Sequence, residues 1–294
     1  MISVSTIIPV HTYSSVVKKA ITSAVNQDYE NNTVNIIVNS RENDVINRIE
    51  QDFKQTVNLV SIDTFGVSYA RNEGIRVSNS DYIAFLDSDD FWFEDKLTNQ
   101  LNYMTENKYN VCGSLMNYVT ESNDSNITVG SLNFTQNEIS EAKFMPFPVS
   151  SMILREDCIK KIGLFSEALG TIEYGQIEDI EYISRLAYKY EVGIFPSSTG
   201  QYLINSKGVT ANKLLTQRSA AHMLSRVRKN GTKGKIKAFD YKMIKNRTIY
   251  HELFRLKMIE SYIDKHLIRS LVYLELSIIL KPILTIKKIY SKLI

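Results

Sequence analysis

The first ninety residues alternate between short β-prone runs and amphipathic helical runs. Val4 to Val10 (VSTIIPV) is rich in β-branched residues, and Ser14 to Val25 places apolar residues three and four positions apart. Further strands are predicted over 34–38, 57–62 and 82–86, and further helices over 44–53 and 67–77. Strands joined by single helices pair in parallel. The sequence therefore predicts an α/β fold with a doubly wound, mostly parallel central sheet flanked by helices, which binds ligands beyond the carboxyl ends of its strands.

Composition favours a chain with a large packed core. The sequence has 294 residues, of which 44% are hydrophobic and 23% charged, with 12 Gly and 5 Pro. This balance excludes wholesale disorder, collagen-like repeats and low-complexity scaffolds. The two cysteines, Cys112 and Cys158, lie outside any CxxC or histidine cluster. We therefore predict two core thiols in a reducing cytoplasm, rather than a disulfide framework or a zinc site.

Charge divides the chain into two regions. Residues 1–212 carry 16 Lys and Arg against 27 Asp and Glu, whereas residues 213–294 carry 19 against 5. We predict an α/β domain over 1–212 and a basic helical region over 213–294. No run has the roughly 18 uncharged apolar residues of a spanning helix, and residues 1–10 lack the features of a signal peptide. Segment 271–294 is basic and amphipathic, which suits either an anionic membrane surface or a small packed bundle.

Three carboxylates follow the predicted strand over 82–86. Asp87, Asp89 and Asp90, with Ser88 between the first two, would repel one another unless a cation or hydrogen-bond donors balance their charge. Hard divalent cations bind carboxylate oxygens together with substrate phosphates, so this segment predicts a clamp for a metal–diphosphate complex. The same four residues also suit a turn and the N-cap of a helix that begins near Glu94. The turn alone leaves both interpretations open.

Three sequence blocks resemble the family 2 glycosyltransferases, which have the GT-A fold. They are residues 5–10 (STIIPV), residues 66–75 with 81–90 (GVSYARNEGI and DYIAFLDSDD), and Glu178-Asp179. The resemblance spans most of 1–210 and implies that 1–212 is a catalytic domain. It implies an inverting enzyme that moves a sugar from a nucleoside diphosphate sugar to an acceptor hydroxyl.

The resemblance also implies which residues hold the nucleoside. Pro9, Val10 and His11 would line its pocket, although His11 can equally be a loop residue without a role. Asn39 stands where the family usually has an aspartate that accepts a hydrogen bond from the base. Its amide oxygen can still accept from a uracil N–H, and its NH₂ can serve other base edges. A UDP-sugar is the expected donor.

The resemblance also implies roles for six further residues around the diphosphate and the metal. Arg71 and Asn72 would face the diphosphate, although Arg71 can instead pair with a carboxylate at the edge of the core. Asp87 and Ser88 would contact the ribose or base side. By the resemblance, Asp89 would bind Mn²⁺ or Mg²⁺, and Asp90 would point toward the acceptor.

The base and one further metal ligand come from the second half of the domain. Asp179 is the implied catalytic base and Glu178 its supporting residue; alternatively, the two carboxylates only stabilise the start of a helix. The family often ends the domain with an Arg-x-His pattern, which is missing from 202–207. Asn205 is the implied substitute ligand, weaker than imidazole for a transition metal.

The most consistent interpretation is a cytoplasmic glycosyltransferase that helps to assemble a surface or secreted glycan. Its expected partners are the donor, a glycan or lipid-linked glycan acceptor, and an anionic membrane surface at the inner face of the cell membrane. One alternative is a sugar-nucleotide nucleotidyltransferase, although the first strand lacks the Gly-rich basic loop that a triphosphate requires. Another is a degenerate transferase that acts as a binding module. Nucleic-acid binding is not expected, because the aromatics of 213–294 have helical spacing.

Overall fold

A computed structural model describes residues 2–39, 43–120, 123–140, 145–167 and 178–204. The strands are β1 (Val4–Val10), β2 (Asn32–Val38), β3 (Asn58–Ser61), β4 (Tyr82–Phe85), β5 (Phe91–Trp92), β6 (Val111–Thr120), β7 (Asn123–Val129), β8 (Ile153–Arg155) and β9 (Val192–Ile204). The helices are α1 (Ser15–Val25), α2 (Asn43–Phe53), α3 (Val67–Val77), α4 (Lys96–Asn107), α5 (Gln136–Ser140), α6 (Glu156–Ile162) and α7 (Glu178–Lys189). The predictions for 213–294 and for Asn205 lie outside the described residues.

The first half of the sheet is parallel, in the order β3-β2-β1-β4. Val4 lies opposite Asn32 on one side and Tyr82 on the other, so the carboxyl ends of β1, β2 and β4 meet at one edge. These strands and the three helices between them match the predicted elements to within two residues at each end, and α3 matches completely. The parallel pairing predicted from the alternation is confirmed here.

The second half of the sheet is mixed. β8 is antiparallel to both β4 and β6, β6 is parallel to β9, and β5 and β7 add antiparallel pairs at β9 and β6. β6 and β7 are consecutive antiparallel strands, which pair from Met116 with Val129 to Thr120 with Asn123. The whole is a mixed α/β sheet whose parallel half carries the binding edge.

Two apolar clusters cover the two faces of the sheet. Side chains of one strand alternate between them, since Ile8 belongs to the cluster with α1, α2 and α4 and Ile7 to the cluster with α3, α6 and α7. This alternation is what a doubly wound sheet requires. Cys112 and Cys158 are buried free thiols, as predicted. Among the described residues, no helix is both long and apolar enough to cross a membrane.

Gly74 lets α3 lie directly against β1. A Cβ atom at this position would be 2.4 Å from Cγ2 of the fully buried Ile7. Overpacking of this kind costs about 1–3 kcal/mol, and better helix propensity offsets up to about 1 kcal/mol of it. We expect Gly74→Ala to lower the free energy of unfolding by about 1–2 kcal/mol in urea titrations. The exposed Val77→Ala on the same helix should change it by about 0.5 kcal/mol or less, and equal effects would contradict the close packing.

Candidate active site

The residues predicted to line a nucleoside pocket lie where β1 and β2 end. The Asn39 backbone N–H donates to the Val10 carbonyl over 3.0 Å, and His11 Nδ1 donates to the Asn39 carbonyl over 3.0 Å. His11 is exposed, Pro9 is half-buried, and Asn39 is buried. These three residues therefore lie together at the carboxyl edge, where the sequence places the nucleoside pocket.

Val10 does not share that surface. Its side chain is fully buried and packs in the cluster with Val38 and Val45. At the edge of the sheet, Val10 contributes only its carbonyl oxygen, which accepts the hydrogen bond from the Asn39 backbone N–H. The prediction that Val10 lines a pocket is therefore corrected, because the side chain belongs to the core.

Asp87, Ser88 and Asp89 form a turn directly after β4. The turn is closed by the Asp90 N–H, which donates to the Asp87 carbonyl over 3.1 Å. Asp87 and Ser88 are half-buried, and Asp89 is exposed. Desolvation and, next, the charge of Asp87 raise the pKa of Asp89 to about 6. Two carboxylates thus crowd one another at the edge of the sheet.

Asp90 does not point toward an acceptor. It is 1% exposed, its Oδ2 accepts from the Ser150 hydroxyl over 2.5 Å, and its Oδ1 accepts from the Leu203 N–H over 3.0 Å. Burial is the main cause that raises the pKa of Asp90 well above its usual range. The predicted orientation is wrong, because both oxygens bind the protein interior. The alternative of a helix cap also fails, since β5 intervenes and α4 begins at Lys96 without a side-chain cap bond.

Arg71 joins the two halves of the site. From the first turns of α3, its guanidinium donates to Asp87 Oδ1 over 2.6 Å and to Glu178 Oε1 over 2.9 Å. The Arg71 side chain is 4% exposed, and it lies over the ring of Phe165 at 5.5 Å. This is the arrangement of the alternative interpretation, in which Arg71 pairs with carboxylates. Burial alone would lower the pKa of Arg71, but Asp87, Glu178 and the nearby Asp179 together raise it, so Arg71 remains protonated.

Asn72 lies in the core rather than in the crevice. It is fully buried, and its Nδ2 donates to the Phe165 carbonyl and to Glu167 Oε1 over 3.1 and 3.2 Å. Its Oδ1 accepts from the Phe165 N–H over 2.9 Å. Both amide hydrogens are used to hold the segment that follows α6, so the predicted contact with the diphosphate is corrected.

Glu178 and Asp179 begin α7, so they also occupy the position where carboxylates stabilise a helix N-terminus. Glu178 is buried against Arg71, whereas Asp179 is half-buried. Asp179 Oδ1 accepts from the Ile180 N–H over 2.6 Å, and no other described residue donates to its Oδ2. Desolvation and then the charge of Glu178 raise the pKa of Asp179 to about 7, against the opposing effect of Arg71. A carboxylate with a pKa of about 7 can take up a proton near neutral pH, which is compatible with the base that the sequence predicts at Asp179.

The metal ligands predicted from the sequence can be compared with the described residues. No group of three His, Cys, Asp or Glu side chains in the described ranges is placed to hold a metal ion. The ion pairs of this region join Arg71 to Asp87 and Glu178, and among described residues none reaches Asp89. One or two carboxylates without a full protein cage fit Mg²⁺ or Mn²⁺, which are completed by substrate phosphates and water. Asn205, the other predicted ligand, lies outside the described residues.

Two residues near the site have no individual role in the sequence prediction, although the segment 147–155 that contains Ser150 resembles the family's acceptor side. Phe65 meets His11 edge to face, with ring centroids 5.8 Å apart, in the loop before α3. The sequence feature that could have identified Phe65 is its position as an aromatic residue directly before the GVSYARN block. Ser150 bonds to the turn at Asp87 and Asp90, and nothing in the run FPVSSMILR distinguishes it from Ser151.

The model of the family described as Glycosyl transferase family 2 matches residues 5–163. A UDP-Glc:alpha-D-GlcNAc-diphosphoundecaprenol beta-1,3-glucosyltransferase of Escherichia coli is 32% identical over 121 residues, which cover 40% of this chain and 47% of that protein. The chain spans less than half the length of the first curated relatives it matches.

Two solved structures share the fold. S. aureus TarS 1–349 in complex with UDP-GlcNAc has a TM-score of 0.60 at 15% identity, with 86% of this chain and 72% of that chain covered. The mannosyltransferase PcManGT from Pyrobaculum calidifontis in complex with GDP-Man and Mn²⁺ has a TM-score of 0.58 at 14% identity, with 99% of this chain and 79% of that chain covered.

Proposed function

The chain belongs to glycosyl transferase family 2, and from that membership we propose that it is an inverting, metal-dependent glycosyltransferase. In this proposal it moves a sugar from a nucleoside diphosphate sugar to an acceptor hydroxyl. The observation that carries the proposal is the convergence of Asp87, Glu178 and Asp179 on Arg71 at the carboxyl edge of the sheet. Asp87 and Glu178 are thereby bonded to one cation, and the charge of the candidate base Asp179 lies near enough to raise the pKa of that cation.

Asp179 is the proposed base. It must take the proton of the acceptor hydroxyl while that oxygen attacks the anomeric carbon, from the face of the sugar opposite the leaving diphosphate. A single displacement of this kind inverts the anomeric centre. A carboxylate with a pKa of about 7 is ionised in a large fraction of molecules near neutral pH and still binds a proton well.

Asp89, with Asp87 beside it, is the proposed protein contribution to the metal site. Desolvation and the neighbouring Asp87 raise the pKa of Asp89, and a cation bound there would stabilise its ionised form. When bound there, Mn²⁺ or Mg²⁺ would stabilise the negative charge that develops on the departing diphosphate. Asn205 would complete the protein ligands. Support for a divalent metal also comes from PcManGT, whose structure contains Mn²⁺.

UDP is the proposed nucleotide of the donor. TarS binds UDP-GlcNAc, and the E. coli relative is named for UDP-Glc, whereas PcManGT binds GDP-Man. The buried Asn39 at the end of β2 has an amide oxygen that can accept from the uracil N3–H. We propose that His11 and Pro9 form the adjoining surface of the nucleoside pocket.

The acceptor is proposed to be a glycan or lipid-linked glycan of a surface or secreted polymer. Support comes from the E. coli relative, whose name specifies a sugar on diphosphoundecaprenol. The basic region 213–294 would bring the active site to an anionic membrane surface at the cytoplasmic face.

Nucleotide binding provides the direct test. At about 100 times its Kd, a ligand of the folded state adds about 2.7 kcal/mol of stability, which corresponds to a Tm rise of about 5–10 °C for a domain of this size. We expect UDP with Mn²⁺ to give this rise, and UDP alone, Mn²⁺ alone and GDP with Mn²⁺ to give smaller ones.

Turnover separates the alternatives. Release of UDP from a UDP-sugar in the presence of acceptor supports the transferase. Pyrophosphate release from UTP and a sugar 1-phosphate would instead show a nucleotidyltransferase. Tight UDP–Mn²⁺ binding without turnover of any nucleotide sugar would show a degenerate binding module.

A further inference from the structure

The Ser150 hydroxyl lies between the two ends of the Asp87–Asp90 turn. Its Oγ accepts from the Asp87 backbone N–H over 3.2 Å and donates to Asp90 Oδ2 over 2.5 Å. Ser150 is fully buried in a 3₁₀ turn, Val149–Ser151, that leads into β8. One hydroxyl therefore bonds to both the first and the last residue of the turn.

Two further hydrogen bonds hold Asp90 and Ser150 in place. The Leu203 N–H in β9 donates to Asp90 Oδ1 over 3.0 Å, and Trp92 Nε1 donates to the Ser150 carbonyl over 2.6 Å. The turn is thus fixed to β8 through Ser150 and to β9 through Asp90. The Asp87 carboxylate is held separately by Arg71, which donates to its Oδ1 over 2.6 Å, whereas Asp89 is exposed.

We propose that Ser150 is a positioning residue that sets the direction of the Asp87 and Asp89 carboxylates for a nucleoside diphosphate and its divalent cation. The inference rests on the proposed function, because it names what the turn binds. Without the hydroxyl, the Asp87 N–H and the buried Asp90 carboxylate each lose a partner, and the turn can relax as the carboxylates separate. Binding would then have to reorder the turn, which weakens affinity for the metal–nucleotide complex.

Ser151 provides a matched control. It is equally buried in the same 3₁₀ turn, but its hydroxyl donates to the Pro148 carbonyl over 2.9 Å and accepts from the Ser114 N–H over 3.1 Å. Its hydroxyl bonds therefore hold β6 and the 3₁₀ turn rather than the Asp87–Asp90 turn. Ser150→Ala and Ser151→Ala remove the same atom from adjacent residues.

The test is isothermal titration of UDP, with and without Mn²⁺, into the wild type and both variants at a temperature where circular dichroism shows all three folded. We expect Ser150→Ala to raise the Kd of UDP–Mn²⁺ about tenfold or more, the scale of a hydrogen bond to a charged group. Ser151→Ala should stay within about twofold of the wild type, as expected for a site without contact to the ligand or the turn.

A double-mutant cycle tests whether Ser150 acts through its hydrogen bond to Asp90. Asp90→Asn alone should also raise the Kd of UDP–Mn²⁺. The double variant should raise that Kd by less than the product of the two single fold-changes, because both substitutions break the same contact. Equal Kd values for wild type and Ser150→Ala, or equal losses in Ser150→Ala and Ser151→Ala, would overturn the inference and leave the proposed function standing. Failure of the wild type to bind any nucleoside diphosphate would overturn both.

Discussion

Asp179→Asn is expected to lower kcat by about 10²–10⁴ while the Kd of the donor stays nearly unchanged, the usual consequence of losing a general base. The substitution keeps the shape of the side chain. The Asn oxygen can still accept from the Ile180 N–H as Asp179 Oδ1 does, so the start of α7 should be retained. What disappears is the capacity to take a proton from the acceptor hydroxyl.

The pH profile identifies Asp179 more sharply than the loss of rate. With a pKa of about 7, wild-type kcat/KM should rise as pH increases through about 7, because the base acts only when ionised. The residual activity of Asp179→Asn should lack this rise. Glu178→Gln is the companion variant, since the buried Glu178 is bonded to Arg71. If Asp179→Asn is fully active while Glu178→Gln is inactive, the base has been assigned to the wrong residue.

Stability provides the folding control for the same variant. The pKa of Asp179 in the folded protein lies above its usual value of 3.8, so ionisation of this group opposes folding. The penalty is absent below about pH 4, grows between about 4 and 7, and is complete above 7. Asp179→Asn should therefore be at least as stable as the wild type at pH 8 and lose that advantage near pH 4. Measuring urea unfolding at both pH values separates lost chemistry from lost structure.

The parallel half of the fold could be predicted from local patterns. β1 to β4 and α1 to α3 each have a periodicity that specifies the element, and their alternation specifies parallel pairing. β5 has two residues and β8 has three, too few for any period, and β9 contains Pro196 within thirteen residues. Their order in the sheet depends on long-range pairing, which local patterns do not encode. The family and the GT-A fold are nevertheless confirmed, because the two longer motif blocks lie in or directly after the elements of the predictable half.

The site could be predicted by position but not by side-chain direction. The sequence correctly brings Asn39 and Asp87 to one edge, since both follow strands that end there. It cannot show that Asn72 turns into the core toward Phe165, or that Asp90 binds Ser150 and not a ligand. The identity of a polar residue beside a motif does not show whether its side chain faces a crevice or bonds to buried backbone groups. Such assignments require the tertiary contacts.

Arg71→Met is expected to lower the free energy of unfolding by about 3–5 kcal/mol, the cost of leaving a buried ion pair without one partner. Glu178 is bonded to the guanidinium and buried, and Asp87 shares the same cation. Arg76→Met is the control on the same helix: its pairs with Glu73 and Glu167 are exposed, and such pairs contribute about 0–1 kcal/mol. Urea unfolding of the two variants measures this difference directly.

The pH dependence of Arg71 variants tests the link between the two halves of the site. Arg71 lowers the pKa of Asp179, so its removal should raise that pKa and move the rise of kcat/KM to higher pH. Arg71→Lys keeps one charge but lacks the fork that donates to Asp87 and Glu178 together, and it provides a folded variant if Arg71→Met unfolds. An unchanged pH midpoint in Arg71→Lys and Arg71→Met would show that Arg71 holds the fold without tuning the base. A shift to higher pH that Arg76→Met does not share would show that the cation holding the donor-side carboxylate also sets the protonation of the base.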